Sequence, residues 1–220
     1  MKNRNRSRQS GFTLVEIAIV LVIIGLLLGG VLKGQELIEN AKIKNLKNDY
    51  QGVAAAFYAY KDRYNATPGD DAGAFARWAT PAPAAITAGN GTVEAVQTWT
   101  ACTPASIIES CLAWQHLRRA GLVSGDTASS ADSINAYGGV TRLLTSSGAV
   151  TGVASGLNIC MGSLPAKAAE AIDRAFDDGN PATGTVRAVL GANNTSPLVA
   201  APVAGYIDAT GNTYTVCKIL

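Results

Sequence analysis

The chain has 220 residues, 18 basic and 16 acidic side chains, one histidine and four cysteines, and only 15% of its residues are charged. An apolar content of 48% is too high for a disordered chain, and a single long uncharged run excludes a multispan membrane protein. The net charge of +2 hides an asymmetry: Lys2, Arg4, Arg6 and Arg8 precede the uncharged run, and the remainder carries 14 basic against 16 acidic groups.

From Phe12 to Leu32 the only ionisable side chain is Glu16. As a helix these residues extend roughly 31 Å, close to the thickness of a bilayer's hydrocarbon core. A basic stretch ahead of such a run holds the N-terminus in the cytoplasm and sends the C-terminal remainder across the membrane. The exported part then meets an oxidising space. Cys102, Cys111, Cys160 and Cys217 are therefore expected as disulfides rather than metal ligands. Three connectivities are open to sequence alone, and the preferred one is Cys102 with Cys111 and Cys160 with Cys217.

The run is too long for an ordinary secretory signal, and no small-residue cleavage site comes after it at Val31-Leu32-Lys33-Gly34-Gln35-Glu36. A polar junction, Gln9-Ser10-Gly11, precedes it instead. A cut there leaves the apolar helix on the mature chain. Glu16 is the second oddity, since a carboxylate at the centre of a membrane helix costs about 2.5–3.5 kcal/mol, less near the end where Glu16 sits.

With its short basic leader ending in Gly11, the aromatic Phe12, a carboxylate at Glu16 and the uninterrupted apolar helix, Gly11-Phe12-Thr13-Leu14-Val15-Glu16 resembles the type IV pilin family, which includes the pseudopilins of type II secretion. The resemblance implies that a prepilin peptidase cuts between Gly11 and Phe12 and methylates the new amine of Phe12. It also implies that Glu16 pairs with such an amine on a neighbouring subunit and sets register in a filament. Expected partners are the peptidase, other pilin or pseudopilin subunits and an inner-membrane assembly platform. The expected location is the bacterial inner membrane, single pass with a periplasmic headgroup, and then the pilus or pseudopilus.

The helical pattern continues past the membrane edge. Leu46, Tyr50, Val53, Phe57, Tyr60 and Tyr64 recur at spacings of three and four, an apolar and aromatic stripe that, as the resemblance implies, supports a globular headgroup. A helix from Phe12 to about Tyr64 ends before Thr67-Pro68-Gly69. Gly25, Gly29, Gly30 and Gly34 interrupt it, and three readings are open: close helix packing, local melting where the helix leaves lipid, or no special role. The organisation expected is a leader at 1–11, a transmembrane and assembly helix at 12–32, its amphipathic continuation at 33–64 and a headgroup at 65–220.

Residues 79–98, rich in Ala, Thr, Pro and Gly, read as a surface loop. A capping box at Ser106-Ile107-Ile108-Glu109 predicts a second helix from Ser106, ending before Gly121. Cys102 then lies in the preceding Thr103-Pro104 turn and folds back toward Cys111. Alternation predicts strands around Leu157, Ile159 and Met161, at Val186–Leu190, and from Tyr214 to Ile219, with a helix from Pro165 to Phe176 between the first two. The fold class is α+β: a long N-terminal helix laid on an antiparallel sheet.

No enzyme constellation emerges. His116, on the second helix beside Arg118 and Arg119, has no partner at a motif spacing and reads as structural or solvated. Asp173, Asp177, Asp178 and Asn180 concentrate oxygen donors around Gly179. By resemblance to pseudopilins that bind calcium in such loops, Asp173, Asp177 and Asp178 are candidate calcium ligands, though the spacing is not that of an EF-hand, and the favoured reading is a helix cap and solvated turn. Asp70 and Asp71 read the same way. Apart from that calcium no cofactor is expected, and a slightly acidic exported part without a basic stripe argues against nucleic acid. The function expected is a structural subunit of a type IV pilus or type II secretion pseudopilus. The alternative is a minor pilin at the filament tip acting in adhesion, DNA uptake or secreted-substrate binding.

Overall fold

The computed structural model describes residues 13–78, 89–93, 102–146, 153–191, 194–197 and 203–220. It divides into two compact units, residues 1–41 and 42–220.

The first unit is the N-terminal part of helix α1 (Leu14–Tyr64). Large apolar side chains from Leu14 to Leu32 are exposed, Leu14 by 91% and Leu26 by 73%, and none of the most apolar window is buried. Water does not tolerate such a stripe, so this surface requires lipid or other helices as solvent.

The second unit is α+β. After the C-terminal part of α1 come α2 (Ala74–Trp78), α3 (Glu109–Arg119), β1 (Ser133–Ile134), β2 (Val140–Ser146), β3 (Gly156–Leu164), α4 (Ala166–Phe176), β4 (Val186–Leu190) and β5 (Tyr214–Ile219). The strands form one antiparallel sheet in the order β1-β2-β3-β5-β4. The last strand therefore enters the interior of the sheet, between β3 and β4.

Period-two alternation gives the sheet two apolar faces. Leu143, Ile159, Met161, Val186, Ala188, Tyr214 and Val216 share one core with Leu46, Tyr50, Val53, Phe57 and Tyr60 of α1, Trp114 and Leu117 of α3, and Ala169 and Ile172 of α4. Two hydrogen bonds tie helices to the sheet backbone, Tyr50 Oη to the Val216 carbonyl at 2.7 Å and Trp114 Nε1 to the Thr141 carbonyl at 3.0 Å. On the other face Leu144, Val153, Cys160 and Cys217 form a smaller cluster. Cys160 and Cys217 stand opposite one another on β3 and β5 and are bonded, with their Cα atoms 4.0 Å apart.

Three expectations need correction. Helix α3 begins at Glu109, three residues later than Ser106, and its N-cap Ile108 makes no side-chain capping bond. The Ser106 hydroxyl is used elsewhere: it accepts from the Thr103 amide at 2.8 Å and closes the turn that carries Cys102. That turn brings Cys102 back to Cys111, Cα to Cα 5.5 Å, and the two are bonded. The short helix α2 and the strands β1 and β2 lie where no element was foreseen. Of the segment 79–98, residues 79–88 and 94–98 lie outside the described residues. Within 89–93, Val93 is fully buried and exchanges hydrogen bonds with Thr145, so it is an inward anchor rather than surface loop.

Candidate functional site

Gly11 and Phe12 lie outside the described residues. Immediately after them, Thr13 precedes the first residue of α1 and Glu16 stands in the first turn. The two residues form a reciprocal cap. Glu16 Oε2 accepts from the Thr13 amide and from the Thr13 hydroxyl, both at 2.8 Å, while the Glu16 amide donates to Thr13 Oγ1 at 3.3 Å. This is the T-x-x-E form of the capping box, and it satisfies backbone donors that a helix start otherwise leaves open. Glu16 was expected only as a partner for an amine. The signature Thr13-Leu14-Val15-Glu16 was nevertheless available in the chain, because box and carboxylate occupy the same four positions. A carboxylate at the positive end of the helix dipole is also favoured electrostatically.

Where α1 ends, the chain turns through Asn65 (φ 51°) and Gly69 (φ 96°) into a buried polar node. The Gly69 amide donates to His116 Nδ1 at 2.9 Å, and the imidazole stacks on Tyr60 with ring centroids 6.1 Å apart and planes 12° apart. A nitrogen that accepts is unprotonated, so His116 is neutral with its proton on Nε2. Burial pushes its pKa down to about 4; Asp71 opposes this and Arg77 and Arg119 reinforce it. His116 is therefore a structural acceptor, not a solvated base.

Beside it, Asp71 accepts from Tyr60 Oη at 2.6 Å, from the Gly73 amide at 2.8 Å and from Arg77 Nη1 at 2.7 Å. Burial raises its pKa, but the bonds from Arg77, Tyr60 and Gly73 outweigh burial and leave it below the ordinary value. Asp70 accepts from the amides of Gly89, Asn90 at 3.3 Å and Gly91 at 2.6 Å. Both carboxylates are buried, so the expectation of a solvated turn is wrong here. Spacing carried no sign of this, because the donors come from residues up to 21 positions away.

At the end of α4, oxygens of Asp173, Asp177 and Asp178 lie within 4.8 Å of one another. Each carboxylate organises the loop beyond the helix. Asp173, fully buried, accepts from Tyr206 Oη at 2.7 Å and from the Gly179 amide at 3.1 Å. Asp177 accepts from the amides of Thr185 at 2.5 Å and Val186 at 3.0 Å, feeding the chain into β4. Asp178 accepts from the Asn180 amide and the Thr183 hydroxyl, both at 2.8 Å, and Asn180 Oδ1 accepts from the Ala182 amide. Burial raises the Asp173 pKa, the bonds from Tyr206 and Gly179 lower it in part, and Asp178 and Asp177 raise it further.

On the second face of the sheet, Arg142 and Asp132 form a buried ion pair. Arg142 Nε reaches Asp132 Oδ1 at 3.0 Å and Nη2 reaches Oδ2, which also accepts from the Cys102 amide at 2.8 Å. The pair fastens the Cys102–Cys111 turn to β2.

Residues 6–32 match the family model for the prokaryotic N-terminal methylation motif, the prepilin signature. The match covers the last six residues of the expected leader, the expected cleavage junction, Glu16 and the exposed apolar stretch of α1. No curated protein and no solved structure matches the chain.

Proposed function

We propose that this chain, which carries the prepilin signature at residues 6–32, is a structural subunit of a type IV pilus or type II secretion pseudopilus. Prepilin peptidase removes residues 1–11 by cutting between Gly11 and Phe12, and the amine of Phe12 is methylated. The subunit waits in the bacterial inner membrane as a single-pass protein with its headgroup in the periplasm. An assembly platform then moves it into a filament with other subunits.

A single observation carries this reading: the most apolar stretch of α1 has no burial inside its own chain, and one carboxylate stands in the helix's first turn. In a plain anchor Glu16 serves only as the cap it forms with Thr13. In a transferable helix it gains a partner as well, because removing four leader cations leaves one amine as the nearest positive group, protonated near neutral pH at a reference pKa of about 7.7–8.0. In the isolated subunit the Thr13 cap offsets part of the carboxylate's desolvation. In a filament the amine of a neighbour takes over, so mispairing leaves a charge unmatched and correct register does not. The headgroup, held by two disulfides and a helix-to-sheet core, contributes a rigid outer body rather than a reaction centre.

The test is Glu16→Ala in the native host. Membrane insertion and loss of residues 1–11, read by mass spectrometry, should be unchanged. Recovery of the headgroup in sheared filaments should drop at least about tenfold, as expected for an unpaired buried charge. Unimpaired filament incorporation refutes the role of Glu16, and absence of any cut at Gly11 refutes the whole reading.

A further inference from the structure

Asn90 is directly succeeded by Gly91, the only Asn-Gly pair in the sequence, and the structure surrounds that peptide bond with catalytic groups. The Gly91 amide donates to Asp70 Oδ2 at 2.6 Å. Asn90 Oδ1 accepts from the Thr92 amide at 2.8 Å and from the Thr92 hydroxyl at 2.7 Å. We infer that Asn90-Gly91 is a self-modification site: Asp70 serves as general base, Thr92 supplies the donors for an oxyanion, and Asn90 is converted through a succinimide to aspartate and isoaspartate.

The hydrogen bonds set an acceptor on the nucleophile and two donors on the electrophile. The nucleophile is the Gly91 nitrogen, and its proton already points at a carboxylate. The electrophile is Asn90 Cγ, whose carbonyl oxygen takes two donors that strengthen as negative charge develops on it. Gly91 has φ +84° and open space where a Cβ would stand, so no side chain shields the attacking nitrogen. Asp70 is preorganised. Its neighbours on either side are fixed, Gly69 by His116 and Asp71 by Tyr60 and Arg77, and the far end of the loop is pinned by Val93 against Thr145.

The atoms balance without an outside oxidant or reductant. The Gly91 nitrogen bonds to Asn90 Cγ, its proton passes to Asp70, and the Cγ–Nδ2 bond breaks as Asp70 returns that proton to Nδ2, which leaves as ammonia. Water from the exposed side then opens the ring at either carbonyl. Opening one carbonyl gives aspartate; opening the other gives isoaspartate, with one extra methylene in the backbone. Either product sets a second carboxylate close to Asp70, and like charges there loosen the grip on the amides of residues 89–91.

The experiment incubates the full chain, purified in detergent at neutral pH, and tracks the peptide containing residue 90 by mass spectrometry. The signatures are a loss of about 17 Da for the succinimide and a gain of about 1 Da for the products, with fragmentation that separates isoaspartate from aspartate. The folded chain should convert at least about tenfold faster than the same chain in denaturant, because the groups are held in place. Asp70→Asn should slow conversion on the order of 10²-fold. Thr92→Val, on the loop surface, should slow it about tenfold, since the backbone donor remains. A folded chain that converts no faster than the denatured one overturns the inference, as does an undiminished rate in Thr92→Val, which stands as a test even where Asp70→Asn fails to fold.

Discussion

The buried His116 makes the stability of the headgroup depend on pH in a predictable direction. Its Nδ1 accepts from the Gly69 amide, and protonation there would set two donors against each other inside a stack with Tyr60. The folded pKa lies at about 4 against 6.5 for the free side chain. Between those values the unfolded chain binds a proton that the folded chain refuses. Stability from this group is therefore undiminished above pH 6.5 and is lost as pH falls toward 4. At about 1.4 kcal/mol per pH unit, the loss across that window reaches about 3 kcal/mol. Asp173 acts in the opposite sense: burial raises its pKa, so its contribution is present at low pH and lost as pH rises. Comparison with His116→Gln isolates the histidine, because the Asp173 contribution is common to both chains. Urea unfolding of the full chain in detergent, monitored by near-ultraviolet circular dichroism at pH 7 and pH 4.5, measures the difference. Wild type should lose about 2–3 kcal/mol more than His116→Gln over that interval, while the variant is less stable at pH 7 through lost stacking and packing. Equal pH dependence in the two chains would refute the assignment of His116 as a neutral acceptor.

Two further predictions concern the turn and the bridges. Gly69→Ala must adopt φ near +96° and bring its Cβ against the Glu109 carbonyl oxygen and, at 3.3 Å, Ala113 Cβ; it should cost about 2–4 kcal/mol in unfolding free energy and shift the thermal midpoint down. In the chain-entropy description, replacing Cys160 and Cys217 by alanine should cost about 4 kcal/mol, and replacing Cys102 and Cys111 about 3 kcal/mol, since the bridged separations are 57 and 9 residues. Denaturant titration of the two double variants ranks them, and a larger loss at Cys102–Cys111 would contradict that account.

The amphipathic stripe on α1 was legible because helical geometry alone puts Leu46, Tyr50, Val53, Phe57, Tyr60 and Tyr64 on one face; the first five are buried and Tyr64 is partly buried against the same core. The same holds for β3 and β5, whose alternating residues divide between the two faces of the sheet, while β4 was legible as a compact apolar run. Strand β2 was not legible. Six of its seven residues are buried, so alternation is absent, and Arg142 sits inside only because Asp132, ten residues away in sequence, neutralises it. The start of α3 was misplaced for a related reason. Ser106 has a capping residue's chemistry, but the turn that returns Cys102 to Cys111 claims its hydroxyl first.

Sequence by itself determined the N-terminal segment: the basic residues ahead of the uncharged run, the run itself, Glu16 and even the Thr13 cap are written within residues 2 to 32, because each depends on partners at most a helical turn away or on the membrane as solvent. It also determined the α+β class, through periodicities of about 3.6 and 2. Only the tertiary structure decided the roles of the isolated polar residues. In the linear chain His116 reads as structural or solvated and Asp70, Asp71 and Asp173 as groups of solvated turns, yet each is buried and each meets donors brought in by another segment. A polar side chain taken out of water must be satisfied, and the groups that satisfy it are chosen by folding rather than by spacing.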